Sequence, residues 1–79
     1  MHPREVLNRL KWCEKTLERA TVTIVHRGAP ADIKEIAGNR IKRLGRGFMT
    51  VEQPGGEVEI PYHRIVKIAL NGKVVWERS

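Results

Sequence analysis

The chain has 79 residues, with 15 Lys or Arg against nine Asp or Glu, a formal net charge of +6 and a pI near 10.1. A chain this short supports one domain, residues 1–79, with one small core, which excludes a large enzyme with a closed cleft; the charge favours anionic partners, nucleic acid first and anionic membrane second. A single cysteine, Cys13, excludes an internal disulfide and a cysteine-based zinc site, no apolar stretch could span a bilayer, and the His-Pro-Arg-Glu opening lacks the pattern of a secretory signal, so a reducing, cytoplasmic location is expected.

Pro3 suits the first helical position, where its missing N–H has no intrahelical partner, and Glu5 adds negative charge to the first turn. Val6, Leu10, Cys13 and Leu17, with Leu7 beside them, fall at helical spacing. This predicts a helix from Pro3 to Leu17 or Glu18, with Cys13 in the core and Arg4, Asn8, Lys11 and Lys15 turned outward. Trp12, roughly 120° around the helix from Val6, either flanks the core or offers an exposed stacking platform.

Ala20 to Arg27 changes to period two and is rich in β-branched residues, so a strand follows. Val22, Ile24 and His26 share one face, Thr21, Thr23, Val25 and Arg27 the other. His26 and Arg27 therefore diverge on a regular strand, and they converge on one ligand only if Gly28 bends the chain. Gly28-Ala29-Pro30 reads as a turn, Ile33 and Ile36 as a short helix or an extended piece, Gly38-Asn39 as another turn, and Arg40 to Leu44 as a short strand.

Phe48 to Gln53 and Glu57 to Pro61 form a hairpin around Pro54-Gly55-Gly56, with Val58 and Ile60 inward. Val66 to Leu70 and Lys73 to Arg78 form another, closed by a type I′ turn at Asn71-Gly72. A regular two-residue loop sets Leu70 opposite Lys73, Ala69 opposite Val74, Ile68 opposite Val75 and Lys67 opposite Trp76. The predicted architecture is α+β: one N-terminal helix packed on a curled, mostly antiparallel sheet of about five strands, tending toward a partial barrel.

Two of the three histidines lie in His-Arg pairs where strands end: His26-Arg27 before Gly28-Ala29-Pro30, and His63-Arg64 after Pro61-Tyr62. Arg27 and Arg64 can make forked hydrogen bonds to phosphate oxygens, the histidines can donate further ones, and Tyr62 can stack on a base or bond a ribose hydroxyl. The competing structural reading has these side chains capping carbonyls or pairing with Glu57, Glu59 or Glu77. Arg40, Lys42, Arg43 and Arg46 make the densest basic run, four of seven residues, suited to a phosphate backbone or to a solvated face. Residues 48–61 carry three acidic side chains and no basic one, which makes that hairpin the least favourable nucleic-acid face. His26 and His63 also suit acid–base cleavage of RNA, in which one imidazole takes a proton and another gives one. They find no third ligand at a recognisable metal spacing, and no glycine pattern qualifies as a nucleotide loop.

His2-Pro3-Arg4-Glu5-Val6-Leu7-Asn8-Arg9-Leu10-Lys11-Trp12, His26-Arg27-Gly28-Ala29-Pro30, Ile60-Pro61-Tyr62-His63-Arg64-Ile65 and Val75-Trp76-Glu77-Arg78 together resemble a family of small, mostly archaeal uncharacterised proteins. The same module is similar to a domain fused in some eukaryotic proteins to two-histidine phosphoesterases and proposed to recognise RNA ends bearing a 2′,3′-cyclic phosphate. The phosphoesterase motif itself, His-x-Thr or His-x-Ser, is missing: His26 precedes Arg27-Gly28 and His63 precedes Arg64-Ile65. The resemblance implies an RNA-binding module for cyclic or terminal phosphate ends, acting without cofactor in RNA processing or repair. Its expected contacts are His26, Arg27, His63 and Arg64 on the phosphate, Tyr62 and Trp12 on base or sugar, and Arg40, Lys42, Arg43 and Arg46 on the backbone. Two other readings stay open: a small metal-independent RNA phosphodiesterase using His26 and His63, and a protein-interaction module with a basic face.

Overall fold

The computed structural model describes residues 2–78. Its helix begins as the sequence predicts. His2 Nδ1 accepts from the Arg4 N–H at 3.1 Å, and the Glu5 carboxylate accepts from the His2 N–H at 3.3 Å, so two otherwise orphaned donors are satisfied reciprocally. The first helix, α1, spans Pro3–Asn8 and continues as a π-helical turn over Arg9–Cys13, where the Glu14 N–H donates to the Arg9 carbonyl at 3.0 Å. A turn closed from i to i+5 holds an extra residue, which rotates the positions after Leu10 off the apolar stripe. Val6, Leu7 and Leu10 are buried, whereas Cys13 is exposed and Trp12 is 68% exposed. Cys13 is therefore a surface residue, and the helix ends short of Leu17. Lys15, at φ +53°, turns the chain, and Leu17 returns to the core in a 3-10 turn over Leu17–Arg19.

Seven strands follow: β1 Ala20–Val25, β2 Ile33–Ala37, β3 Ile41–Leu44, β4 Phe48–Gln53, β5 Gly56–Pro61, β6 Ile65–Leu70 and β7 Lys73–Glu77. They form two antiparallel sheets, ordered β2-β1-β6-β7 and β3-β4-β5. The α+β class holds; the single curled sheet of about five strands does not, and no closed barrel forms. Two short 3-10 corners are the reason. Gly38–Arg40 carries the chain from β2 to β3, and Tyr62–Arg64 carries it from β5 to β6, each passing from one sheet to the other. The first corner packs so closely on the turn at Leu17 that a Cβ at Gly38 would overlap the Leu17 carbonyl oxygen.

Val6 and Leu7 of α1 and Leu10 of the π-helical turn join Val22, Ile24, Ile65 and Ile68 of the four-stranded sheet and Met49, Val51 and Ile60 of the three-stranded sheet in one apolar cluster. Ile36 of β2 is buried while Ile33 faces solvent, so this segment is the extended piece rather than the helix. At the last hairpin Asn71 and Gly72 have φ +52° and +83°, as a type I′ turn requires. Leu70 opposes Lys73 and Ala69 opposes Val74, but a bulge beyond Ala69 sets Trp76 opposite Ile68 and Glu77 opposite Lys67. The predicted pairs Ile68–Val75 and Lys67–Trp76 are thus each moved by one residue. A one-residue shift exchanges the faces, and it places Trp76, not Val75, across from the fully buried Ile68. No helix among the described residues is long and apolar enough to cross a membrane.

Candidate nucleic-acid interface

β1 stops at Val25, two residues before the predicted end, because His26 leaves the ladder: its N–H donates to the Asp32 carbonyl at 2.8 Å across the β1–β2 loop. Gly28, at φ +90°, supplies the expected bend. Ala31 and Asp32 also adopt left-handed backbone, at φ +59° and +57°, a conformation that costs L-residues roughly 1–2 kcal/mol each. Such strain is held only where surrounding bonds fix it, here the His26 and Asp32 N–H bonds that close the loop.

Arg64, on the second corner, reaches across to this loop. Its Nε and Nη2 both donate to the Val25 carbonyl, at 3.2 and 2.8 Å, and Nη2 lies 3.5 Å from His26 Nδ1. A guanidinium has donors only, so in this contact Nδ1 is the acceptor and Nε2 is the ring nitrogen left to donate. The two N–H groups of Arg64 Nη1 have no partner among the described residues. Arg64 thereby joins the two His-Arg motifs. Arg27 and His63 are exposed, and neither side chain has a hydrogen bond or ion pair among the described residues. Neighbours on a 3-10 turn point about 120° apart, so His63 projects away from the Arg64 side chain. The structure brings His26 and Arg64 together and leaves His63 outside their contact.

Tyr62 is only 2% exposed. Its hydroxyl donates to the Gly45 carbonyl at 2.7 Å, Arg4 Nε donates to the same oxygen at 2.9 Å, and the Tyr62 N–H donates to the Gly47 carbonyl at 3.3 Å. Burial pushes the Tyr62 pKa above the usual phenol value, with the charge and hydrogen bonding of Arg4 offsetting part of the rise. Neither a free ring face nor a free hydroxyl remains for a base or ribose. Tyr62 instead ties the β3–β4 loop to the corner that carries Arg64. Arg78, not singled out individually by its chemistry in the sequence, holds the corner from the other side: Nε and Nη2 donate to the Ile65 carbonyl at 3.1 and 2.9 Å, and Nη2 approaches the Tyr62 and His63 carbonyls at 3.5 and 3.4 Å.

The basic run does not form one stripe. Lys42 pairs with Glu52 at 3.2 Å and Arg43 with Glu57 at 2.9 Å, because β3 lies beside β4 and the acidic hairpin therefore sits against the run. Arg40 lies in the first corner and Arg46 in the β3–β4 loop, both exposed and without an ion pair among the described residues. Arg40 lines a groove of about 280 Å³ with Lys34 and Gln53. Trp12 is exposed rather than flanking the core, with Lys11 Nζ 4.9 Å from its ring centre.

The family model described as the MJ1316 RNA cyclic group end recognition domain matches residues 1–78. The chain belongs to this family. Similar curated proteins include UPF0248 proteins of Thermococcus gammatolerans, 42% identical over 95% of this chain and 87% of the relative, and of Pyrococcus horikoshii, 40% identical over 94% and 86%. Another, from Pyrobaculum calidifontis, is 36% identical over 95% of both chains. No solved structure gives a significant match. Within this cyclic group end recognition family member, both His-Arg motifs, the loop at 45–47 and Arg78 all lie inside the matched span.

Proposed function

We propose that the chain is an RNA-binding module that takes RNA ends carrying a 2′,3′-cyclic or terminal phosphate, in RNA processing or repair. One observation carries the reading: the Arg64 guanidinium, fixed on the Val25 carbonyl beside His26, keeps two donors on Nη1 unused. A guanidinium held in place loses little freedom when it binds, and with Nε and Nη2 committed to the Val25 carbonyl its two Nη1 N–H groups remain to donate to phosphate oxygens. The His26 Nε2–H adds a donor, and Arg27 brings a second unpaired cation to the same loop. Exposed Arg40 and Arg46 supply sequence-independent attraction for the backbone. The description of the matching family, an RNA cyclic group end recognition domain, supports the same reading.

The experiment is a titration with matched RNA oligonucleotides ending in 2′,3′-cyclic phosphate, linear phosphate or hydroxyl. The cyclic end binds tightest, and Arg64→Lys, which keeps the charge and loses the fork, lowers its advantage at least about tenfold, the cost of one charged hydrogen bond. Equal binding to all three ends, unchanged by Arg64→Lys, rules out end recognition. Incubation at high protein concentration separates binding from turnover: the cyclic phosphate stays closed. Opening that disappears in His63→Ala and follows a bell-shaped pH profile would instead establish the phosphodiesterase.

A further inference from the structure

The outer face of the β3-β4-β5 sheet carries a second feature that the end site does not use. The register places Arg43, Thr50 and Glu59 in one row across the three strands and Phe48 opposite Pro61 in the next. Phe48 is 39% exposed for a large apolar ring, while Thr50, a polar residue on a solvent-side row, is only 4% exposed beneath its neighbours. A groove of about 460 Å³ opens there, lined by Lys11, Arg43, Phe48, Thr50 and Glu59 among others. Lys11 also stands 4.9 Å from the ring centre of Trp12, itself 68% exposed. Two exposed aromatic side chains therefore flank one lysine.

The charges are as particular as the rings. Glu52 and Glu57 are taken up by Lys42 and Arg43, so the acidic hairpin is largely neutralised where it meets β3. Glu59 is the carboxylate of that hairpin with no partner among the described residues, and it lines the groove. A cationic rim attracts phosphates, an exposed ring offers a stacking surface to any base, and an isolated carboxylate accepts from N–H donors on a base edge. Guanine presents two such donors side by side on its Watson–Crick edge, adenine and cytosine one amino group each, and uracil one ring N–H between two carbonyl oxygens that the carboxylate repels. Hydrogen bonds through Gly45 tie the groove to the corner that carries Arg64. The Gly45 N–H donates to the Phe48 carbonyl at 2.9 Å, and the Gly45 carbonyl receives the Tyr62 hydroxyl at 2.7 Å, two residues before Arg64.

We propose that this groove is a nucleobase subsite for the single-stranded RNA leading to the bound end, with Phe48 stacking on one base, Glu59 reading its donor edge, Lys11 holding the adjoining phosphate, and Trp12 offering a stacking surface beyond Lys11. The subsite rests on the RNA reading above and adds a base preference to it, guanine strongest and uracil weakest.

The test uses the full chain and five-nucleotide RNAs, each made with a cyclic phosphate or a hydroxyl end and each with guanine, adenine, cytosine or uracil upstream of a common last nucleotide. Phe48→Leu keeps an apolar side chain and removes the stacking face. It weakens every RNA at least about fivefold and leaves the ratio between cyclic and hydroxyl ends unchanged. Glu59→Gln compresses the guanine-to-uracil ratio. A 2-aminopurine placed upstream is quenched on binding the wild type and not on binding Phe48→Leu, a readout that a partly unfolded variant cannot imitate at saturating protein. If the wild type distinguishes ends while Phe48→Leu and Glu59→Gln change neither affinity nor base order, the subsite is wrong and end recognition stands. If the ends bind alike but both variants act as described, end recognition is wrong and the subsite stands. No binding of any RNA at low salt overturns both.

Discussion

Removing the guanidinium of Arg78 tests whether the Tyr62–Arg64 corner is held from outside. In Arg78→Ala two short bonds to the Ile65 carbonyl, at 2.9 and 3.1 Å, are lost with two long approaches to the Tyr62 and His63 carbonyls at 3.5 and 3.4 Å. The short pair shares one acceptor and counts as about one charged hydrogen bond, worth roughly 1.5–3 kcal/mol net; the long pair lies at the geometric limit and adds little. Arg78 is exposed, so water partly replaces the lost donors, and the expected loss is about 2 kcal/mol. For a domain of this size each kcal/mol lowers Tm by about 4–8 °C, so the melting point should fall by roughly 8–16 °C in a calorimetric scan. Arg78→Lys, which keeps a charge but not the fork, should recover less than half of the loss. Because the corner carries Arg64, end binding should weaken as well, although Arg78 Nε and Nη2 are occupied by protein carbonyls. Arg78→Ala within about 0.5 kcal/mol of wild type, the range of an ordinary surface substitution, refutes the reasoning.

Gly38→Ala should destabilise by about 3 kcal/mol or more in chemical denaturation, since its Cβ would overlap the Leu17 carbonyl, whereas Gly47→Ala, with open space around its Cβ, should stay within about 0.5 kcal/mol. The Tyr62 pKa is raised chiefly by burial, so its contribution to stability is complete below the unfolded phenol pKa of about 10 and is lost as pH climbs through the folded value; stability measured from pH 9 upward should fall less steeply in Tyr62→Phe than in wild type. For single-stranded RNA the slope of log affinity against log salt changes by about 0.7 per phosphate contact; Arg46→Ala and Arg40→Ala should each make it shallower by up to that amount without altering the preference among ends.

Much of the fold is legible in the residues because the local rules act locally. Pro3 with Glu5 marks the helix start, Asn71-Gly72 marks the last turn, and the period-two runs mark β1, β4 and β5. What escapes is what depends on partners distant in sequence. The π-turn after Asn8 rotates Cys13 outward, though the four-three-four spacing of Val6, Leu10, Cys13 and Leu17 reads as one regular stripe. The bulge that sets Trp76 opposite Ile68 answers to packing against a buried neighbour, not to the turn that fixes the rest of the register. Neither corner interrupts the alternation enough to show that the chain changes sheets, so seven strands in two sheets read as about five in one.

The candidate site divides along the same line. His26-Arg27 and His63-Arg64 stand out as pairs, and the bend at Gly28 follows from its φ of +90°. That Arg64, rather than His63, makes the connection depends on a 3-10 corner whose phase no periodicity reveals. Tyr62, between Pro61 and His63, looks like a ligand contact and is a buried strut. Net charge by segment also misleads: residues 40–46 and 48–61 look like opposite poles until β3 lies beside β4 and Lys42 and Arg43 meet Glu52 and Glu57.

The central claim is that His26 and Arg64, 38 residues apart in sequence, act as one phosphate site. A double-mutant cycle on the affinity for an RNA ending in 2′,3′-cyclic phosphate measures it directly, using His26→Ala, Arg64→Lys and the combination. Residues in contact around one ligand couple by roughly 0.5–3 kcal/mol, while independent sites add to within about 0.5 kcal/mol. The structure predicts coupling of about 1 kcal/mol or more for the cyclic end and none for the hydroxyl end. Additive losses for both ends would mean that the two motifs do not share a ligand.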